Sequence, residues 1–526
     1  MDSQAVERWS ALRVQSDNLH IRRVGSIFRY SERRQVSRRN IRRGRCRTGE
    51  FGRTGIPERA VSPVRADLTE FRIRRLWRMW SVPMSNSIDL IVPNNAEFNL
   101  RNFSTRLNRE AERGFVEAGD MMADQAVFWS TAPRILVLPA GLDRDWFADV
   151  HRVLGVAEPP VVSPVPRTGR LVADLLADEP ALTRLRALIA ERHTRIKCFG
   201  VAPGVYKLLS AIEAWGVPVD LDGPPKADYW SSPYLDNKLS CLDLAGTVAG
   251  FRVPPGITVT TSEELEGALR TILAAGGRAI VKSMHGVSGD GSFVVHADEM
   301  SLDTFWIEVL HDPFFRTFPL FVQRYVEHAP DVGCPAADIR VTEAGVQAVV
   351  LGAMTVDVKR YESVSVGEEC VPADLRERLR ALARAVGDAA HALGYRGWLC
   401  IDCIVDRDRE LYVTEINARR SGAMHPIALL AHWDGHARKG LIAHSHDSIA
   451  ARSESGCPAY AEHIRPVFEE LWSRGIRAVP TAVRGLTREA PIFAVAVVAE
   501  NIETARSIVC DIQAKVQAGE PRGVAR

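Results

Sequence analysis

The chain has 526 residues, 46% hydrophobic and 25% charged, enough for more than one folded core and ordinary for a globular protein. No apolar run approaches the roughly 18 residues that span a bilayer, and no charged-then-apolar leader is recognised, so no membrane partner is expected and the setting reads as cytoplasmic. Nine cysteines in a chain this long do not make a disulfide framework.

The net charge of +2 hides a split. Residues 1–83 hold 20 Arg, no Lys and 8 acids, or +12, while the remainder sets 47 bases against 57 acids, or −10. The Arg-rich head shows little periodicity and repels itself, so no packed core is expected there. It reads as disordered or as an over-extended start, because Met84 is followed by SNSIDLIVPNN, which looks like a first strand. A basic arm for nucleic acid is the alternative, and nucleic acid is not expected as a partner unless the head is native.

From residue 84 to about 225, β-like runs alternate with helical ones: strands at 88–93, 134–141 and 195–201, helices at 171–193 and 205–216. This predicts an open α/β domain. Residues 226–450 read differently. A helical stretch at 235–249 leads to a helix that starts at SEEL with Ser262 as its cap. RAIVKSMHGVSGDGSFVV (278–295) is two strands around a glycine loop, and LFVQRYVEHAPDV (320–332) is a strand running into a polar loop. Antiparallel strands follow over 338–360, then an amphipathic helix at 373–394, then two strands, WLCIDCIV and ELYVTEIN. A smaller unit at 455–526 reads as helix, strand, helix.

The chemistry gathers in the middle segment. Asp402 interrupts an apolar strand, and a bare buried carboxylate is costly, so a compensating cation is expected. Glu415 and Asn417 are two apart and share a strand face. Three oxygen-bearing side chains on adjacent strands suit Mg²⁺ bridging nucleotide phosphates. An edge-strand Asp with a solvated Glu is the plainer alternative. Lys282 ends its strand beside the loop HGVSGDGS, whose glycines permit backbone N–H groups to turn toward an anion. Lys238 is a second phosphate candidate. Cys400 and Cys403 form a CxxC inside a strand, where an offset of three separates the thiols, so buried free thiols are expected.

The order of these parts resembles the ATP-grasp superfamily: NKLSCLDLAGTVAGFRVPPG, RAIVKSMHGVSGDGS, FVQRYVEHAPD, DIRV, then WLCIDCIV with TEINARRSG, over roughly 226–435. The wording INARRSGAMHP and the C-terminal unit look most like the pheganomycin-type peptide ligases. The resemblance implies an α/β (α+β) chain: a pre-ATP-grasp α/β domain, an ATP-grasp domain of two α+β subdomains, and a small C-terminal α/β appendix. It implies ATP held by Lys238, Lys282, Ser288, Gly289 and Gly291, adenine read at the hinge by Gln323, Tyr325 and Val326, and ribose bound by Glu327 or Asp331. Two Mg²⁺ ions would sit on Asp402, Glu415 and Asn417. Arg340, Arg360 and Arg419 are the candidates for stabilising acyl and phosphoryl oxygens, since a guanidinium fork suits both. Arg420 beside them is a further candidate, for which a surface ion pair is the plainer reading, and His425 reads as structural. The implied reaction joins a carboxylate donor to an amine or peptide acceptor through an acylphosphate, and relatives often form homodimers. Other ATP-grasp chemistry, carboxylation or acyl-CoA formation, is the second reading. A non-catalytic ATP sensor is the third. The chain departs from many relatives at Arg324, where a Glu is common, and in ARRSG, which lacks a proline.

Overall fold

The computed structural model describes residues 86–518, except 103–106, 287–288, 298–304, 307–311, 316, 358–359, 435–439, 452–457 and 489. The Arg-rich head lies outside the described residues, and so do the readings made of it. Among the described residues, no helix is long and apolar enough to cross a membrane.

The first domain is a five-stranded sheet in the order β3-β2-β1-β4-β5. Its strands are β1 (Ser87–Val92), β2 (Arg134–Val137), β3 (Val161–Val162), β4 (His193–Cys198) and β5 (Val219–Leu221). All neighbours pair parallel. Parallel strands are covered on both faces, which is why β1 and β2 read as mostly apolar runs, with Asp89 of β1 buried against Lys197 and Arg195 of β4. The helical stretch expected at 171–193 is two helices, Leu171–Leu176 and Glu179–Ile189. Pro180 opens the second, and Asp178 caps it by accepting from Ala181 N.

Two antiparallel sheets follow. The smaller runs β6-β9-β7-β8, with β6 (Gly256–Val259), β7 (Arg278–Ser283), β8 (Ser292–His296) and β9 (Leu320–Arg324). Helix Ser262–Gly276 lays Leu265, Ala268 and Leu269 on it. Its cap is Thr261, which accepts from Glu264 N, one residue before the expected Ser262. The helix expected at 235–249 is two short ones, Ser231–Leu235 and Ser240–Ala245.

The larger sheet has eight strands in the order β14-β13-β10-β11-β12-β15-β17-β16. They are β10 (Cys334–Thr342), β11 (Gly345–Asp357), β12 (Arg360–Val366), β13 (Gly397–Val405), β14 (Leu411–Asn417), β15 (Ile442–Ala450), β16 (Arg477–Ala482) and β17 (Ile492–Ala499). Alternation sorts the two faces of its first half. Ile339, Val341, Leu399 and Ile401 pack on Leu375, Leu379, Leu382 and Val386 of helix Ala373–Ala392. Asp338, Arg340 and Asp402 fall on the other face. The C-terminal segment does not build a sheet of its own: β17 pairs with β15, and β16 closes that edge. It also meets the first domain. Trp146 Nε1 donates to Pro480 O at 2.7 Å, and buried Asp124 pairs with Arg484 at 2.7 Å.

Candidate active site

Asp402 and Glu415 are register partners on β13 and β14, and Asn417 stands opposite Cys400 one step along. Asn417 Nδ2 donates to Asp402 Oδ2 at 2.8 Å and to Glu415 Oε1 at 3.5 Å. The alternation that put Glu415 and Asn417 on one face thus places three oxygen-bearing groups side by side, in a cleft of about 580 Å³ between the two antiparallel sheets.

The cleft is charged on its opposite wall. Lys238 Nζ lies 3.0 Å from Glu415 Oε2, and Lys282 Nζ reaches Thr414 O at 3.5 Å. Both lysines are nearly buried, at 7% exposure each. Burial, aided by the neighbouring Lys238 charge, lowers the Lys282 pKa to about 8. Burial favours neutral Glu415, but Lys238, with Lys282 and Arg419, outweighs it and holds that carboxyl well below its usual range. Asp402 is pushed the other way, by burial and then by the charge of Glu415. One more positive charge beside the pair would relieve that opposition.

β7 and β8 form the expected hairpin, with Lys282 opposite Ser292. Gly289 and Gly291 have φ of +94° and +77°, a left-handed conformation that glycine adopts without strain. Gly286, Gly289 and Asp290 line the cleft. Asp290 was not singled out in the sequence. Gly286 comes so close to Lys238 that an added Cβ would stand 3.1 Å from its Nζ. Ser288 lies outside the described residues.

Gln323, Tyr325 and Val326 line the same cleft, as do Arg324 and His328. Gln323 Nε2 donates to Pro254 O at 3.0 Å, which fixes the side chain against the segment leading into β6. Neither ribose candidate lines the cleft. Glu327 pairs with Arg407 at 2.8 Å and Asp331 with Arg409 at 2.8 Å, both at the surface. The HAPD stretch is polar because it meets solvent and the β13–β14 turn. His328, which bridges to Asp406, is the residue it presents to the cleft.

The arginines divide. Arg419 lines the cleft, donates to Asn417 Oδ1 at 2.8 Å and lies 5.1 Å from the centre of the Phe199 ring. Arg340 does not reach the carboxylate pair: it is ion-paired with Asp222 in a second cavity of about 230 Å³. It shares the Asp402 face of the sheet, but further along β10, opposite Trp398. Arg420 enters the same cavity and also pairs with Asp222, so it is a buried tie between the first domain and the large sheet and not a surface group. Arg360 opens β12, and its side chain is outside the described residues. His425 is buried and bonded to Ser445 Oγ at 2.7 Å, a structural histidine as expected. Cys400 and Cys403 are buried and free.

Among the described residues, no group of three His, Cys, Asp or Glu side chains is poised as a self-sufficient metal site. Two carboxylates are instead an incomplete set of hard oxygen donors, and the Asn417 amide, whose Nδ2 faces them while its Oδ1 accepts from Arg419, would have to turn to add a third. They fit Mg²⁺, which keeps open positions for phosphate oxygens.

Residues 124–214 match the family model described as the Pre ATP-grasp domain. No curated relative matches the sequence. Among solved structures, the chain is similar to the ADP complex of PurK, N5-carboxyaminoimidazole ribonucleotide synthetase, at 15% identity over 81% of this chain and 96% of that one, TM-score 0.47. It is similar to biotin carboxylase from Campylobacter jejuni, at 14% identity over 82% and 92%, TM-score 0.48. A third similar structure is L-amino acid ligase from Bacillus licheniformis, at 14% identity over 82% and 98%, TM-score 0.44. The family match thus places a Pre ATP-grasp domain in the first, parallel-sheet part of the chain, and two antiparallel sheets follow it.

Proposed function

We propose that the protein is an ATP- and Mg²⁺-dependent carboxylate–amine ligase that makes an amide bond, of the pheganomycin type of peptide ligase. One observation carries the reading: Lys238 and Lys282, under a glycine hairpin, face Asp402, Glu415 and Asn417 across a single cleft. Phosphate needs cationic and N–H donors, the metal needs oxygen donors, and both sets meet here. Adenine would lie along the backbone of residues 323–326, with Lys238 and Lys282 neutralising phosphate charge.

In this reading the donor carboxylate takes the γ-phosphoryl group, releasing ADP. The resulting acylphosphate is attacked at carbon by a neutral amine. Phosphate leaves, the nitrogen loses a proton, and an amide remains. Arg419, fixed by Asn417 and Phe199, is placed to hold the oxygen that gains charge in each step. Asp402, Glu415 and Asn417 would hold Mg²⁺, which when bound supplies further positive charge to the phosphates. Dependence on ATP makes the cytoplasm the setting of this reading.

The test is product analysis with Mg-ATP and a panel of acids and peptides. Release of ADP and phosphate with an amide of the summed mass minus water supports the ligase. AMP release, carboxylated product or thioester would replace it with a different chemistry.

A further inference from the structure

The nucleotide groups occupy only one end of the large cleft. Its floor is the large sheet itself, where Ala336, Gly352, Met354 and Val364 lead from β10 across β11 to β12. The far end, on β15, holds one carboxylate, Asp447, and exposed Ser448.

Asp447 is built in carefully. Its side chain is 9% exposed. Oδ1 accepts from Ser445 Oγ at 3.1 Å and from Gln125 Nε2 at 3.1 Å, and the Tyr361 hydroxyl lies beside the carboxylate. Among the described residues, the only basic group within ion-pair distance is His425 Nε2, at 3.9 Å. Burial lowers the His425 pKa to about 3, so this histidine is neutral near pH 7. A buried carboxylate with neutral neighbours is an expensive arrangement unless a ligand brings the counter-charge. The cleft reaches this corner, which Tyr361, Gly422 and Asp447 line, and Asp447 Oδ2 is buried there with no hydrogen-bond donor placed on it among the described residues. With Oδ1 already taken by two donors, Oδ2 suits a compact donor such as an ammonium better than a two-pronged guanidinium.

We infer that Asp447, with Tyr361 and Gln125, is a binding site for an ammonium group carried by the acceptor peptide away from its reacting amine. This rests on the ligase reading above. Four strand spacings separate β13 from β15, on the order of 19 Å along the sheet. An extended peptide covers that in about four to six residues, fewer where side chains reach inward. The acceptor is therefore a short peptide with a lysine-like side chain at its remote end.

The experiment uses the full chain with Mg²⁺ and a non-hydrolysable ATP analogue. Calorimetric binding is measured for C-terminally amidated tetrapeptides ending in lysine or in norleucine, which differ by the ammonium alone. Wild type should prefer the lysine peptide by about tenfold or more, and Asp447→Asn should bind both alike. Ser448→Lys, a substitution at an exposed position, tethers a competing ammonium and should also remove the preference, which covers the case of a poorly folded Asp447 variant. Equal binding of both peptides by wild type overturns the inference, and so does a preference that survives in both variants. Asp447-dependent peptide binding without turnover of any acid would sink the ligase reading and leave this site standing. ADP release with no lysine preference would do the reverse.

Discussion

Asn417 Nδ2 donates to Asp402 Oδ2 at 2.8 Å, so the amide of one strand holds the carboxylate of the next in place. The same amide accepts from Arg419 at 2.8 Å. One asparagine thereby sets the positions of a proposed metal ligand and of the arginine proposed to meet the reacting oxygen. Asp402→Asn and Glu415→Gln should each lower turnover by about 100-fold or more, the scale of losing a main electrostatic contact. They should also abolish the rise in melting temperature that Mg-ATP is expected to give wild type. Burial and Glu415 already push Asp402 toward its neutral form, so Asp402→Asn removes no settled charge and the ligand-free variant should melt no lower than wild type. Full activity in both variants would remove the metal assignment.

Asp338 gives a pH signature separate from the metal pair. It is buried on β10, and its carboxyl is pushed up to about 7 by burial, against the opposing pull of the Ser421 hydroxyl that donates to it at 2.6 Å. A carboxyl with a raised folded-state pKa binds its proton more tightly folded than unfolded. Its contribution is therefore complete at pH values below the ordinary carboxylate range and is lost as pH rises toward about 7. Relative to Asp338→Asn, wild type should lose stability between about pH 4 and pH 7 and then run parallel. Urea titrations of both proteins at pH 4, 6 and 8 measure this, and a constant difference across the three would refute it.

Much of this was legible in the sequence, for definite reasons. Period-two alternation placed Glu415 and Asn417 on one face, and an acid inside an apolar run marked Asp402. Glycine spacing marked the hairpin loop. What stayed hidden were long-range pairings. Nothing local in IAHSHDSIA says that it is β15, a strand between β12 and β17, and RAVPTA reads poorly as β16 because of Pro480. That proline is tolerated on an edge strand, where its missing N–H is not needed. Arg340 and Arg420 read like site arginines by motif, yet their partner, Asp222, lies more than a hundred residues earlier in the chain. Asp447 carried no motif at all.

That partner makes a strong stability prediction. Asp222 is buried, and Arg340 and Arg420 hold its pKa well below the usual carboxylate range against the opposing effect of burial. Asp222→Asn leaves two guanidinium groups near a common point without their shared anion. The expected cost is about 3–5 kcal/mol. A depressed carboxylate contributes above its unfolded pKa, so the difference from wild type should persist at pH 7 and shrink only at strongly acid pH. Denaturant unfolding at pH 7 should show it, and a loss under about 1 kcal/mol would mean that the two arginines find other partners.

Two glycines separate the loop's role from mere chain flexibility. A Cβ on Gly286 would fall on the Asp290 carbonyl oxygen and press on Lys238 Nζ at 3.1 Å. Gly286→Ala must therefore shift the hairpin tip away from the lysines. It should weaken ATP binding by about tenfold or more, since it disturbs at least one charged contact to phosphate. Global stability should change little, because the loop buries few apolar groups. Gly267, in helix Ser262–Gly276, has nothing within 4 Å of the same added atom and an ordinary helical backbone. Gly267→Ala should raise stability by about 0.5–1 kcal/mol through helix propensity alone and leave ATP binding untouched. Paired ATP titrations and melting curves on the two variants decide the matter: weakened ATP binding in Gly286→Ala only ties the loop to the nucleotide. Equal effects in both would mean that the loop acts through general stability.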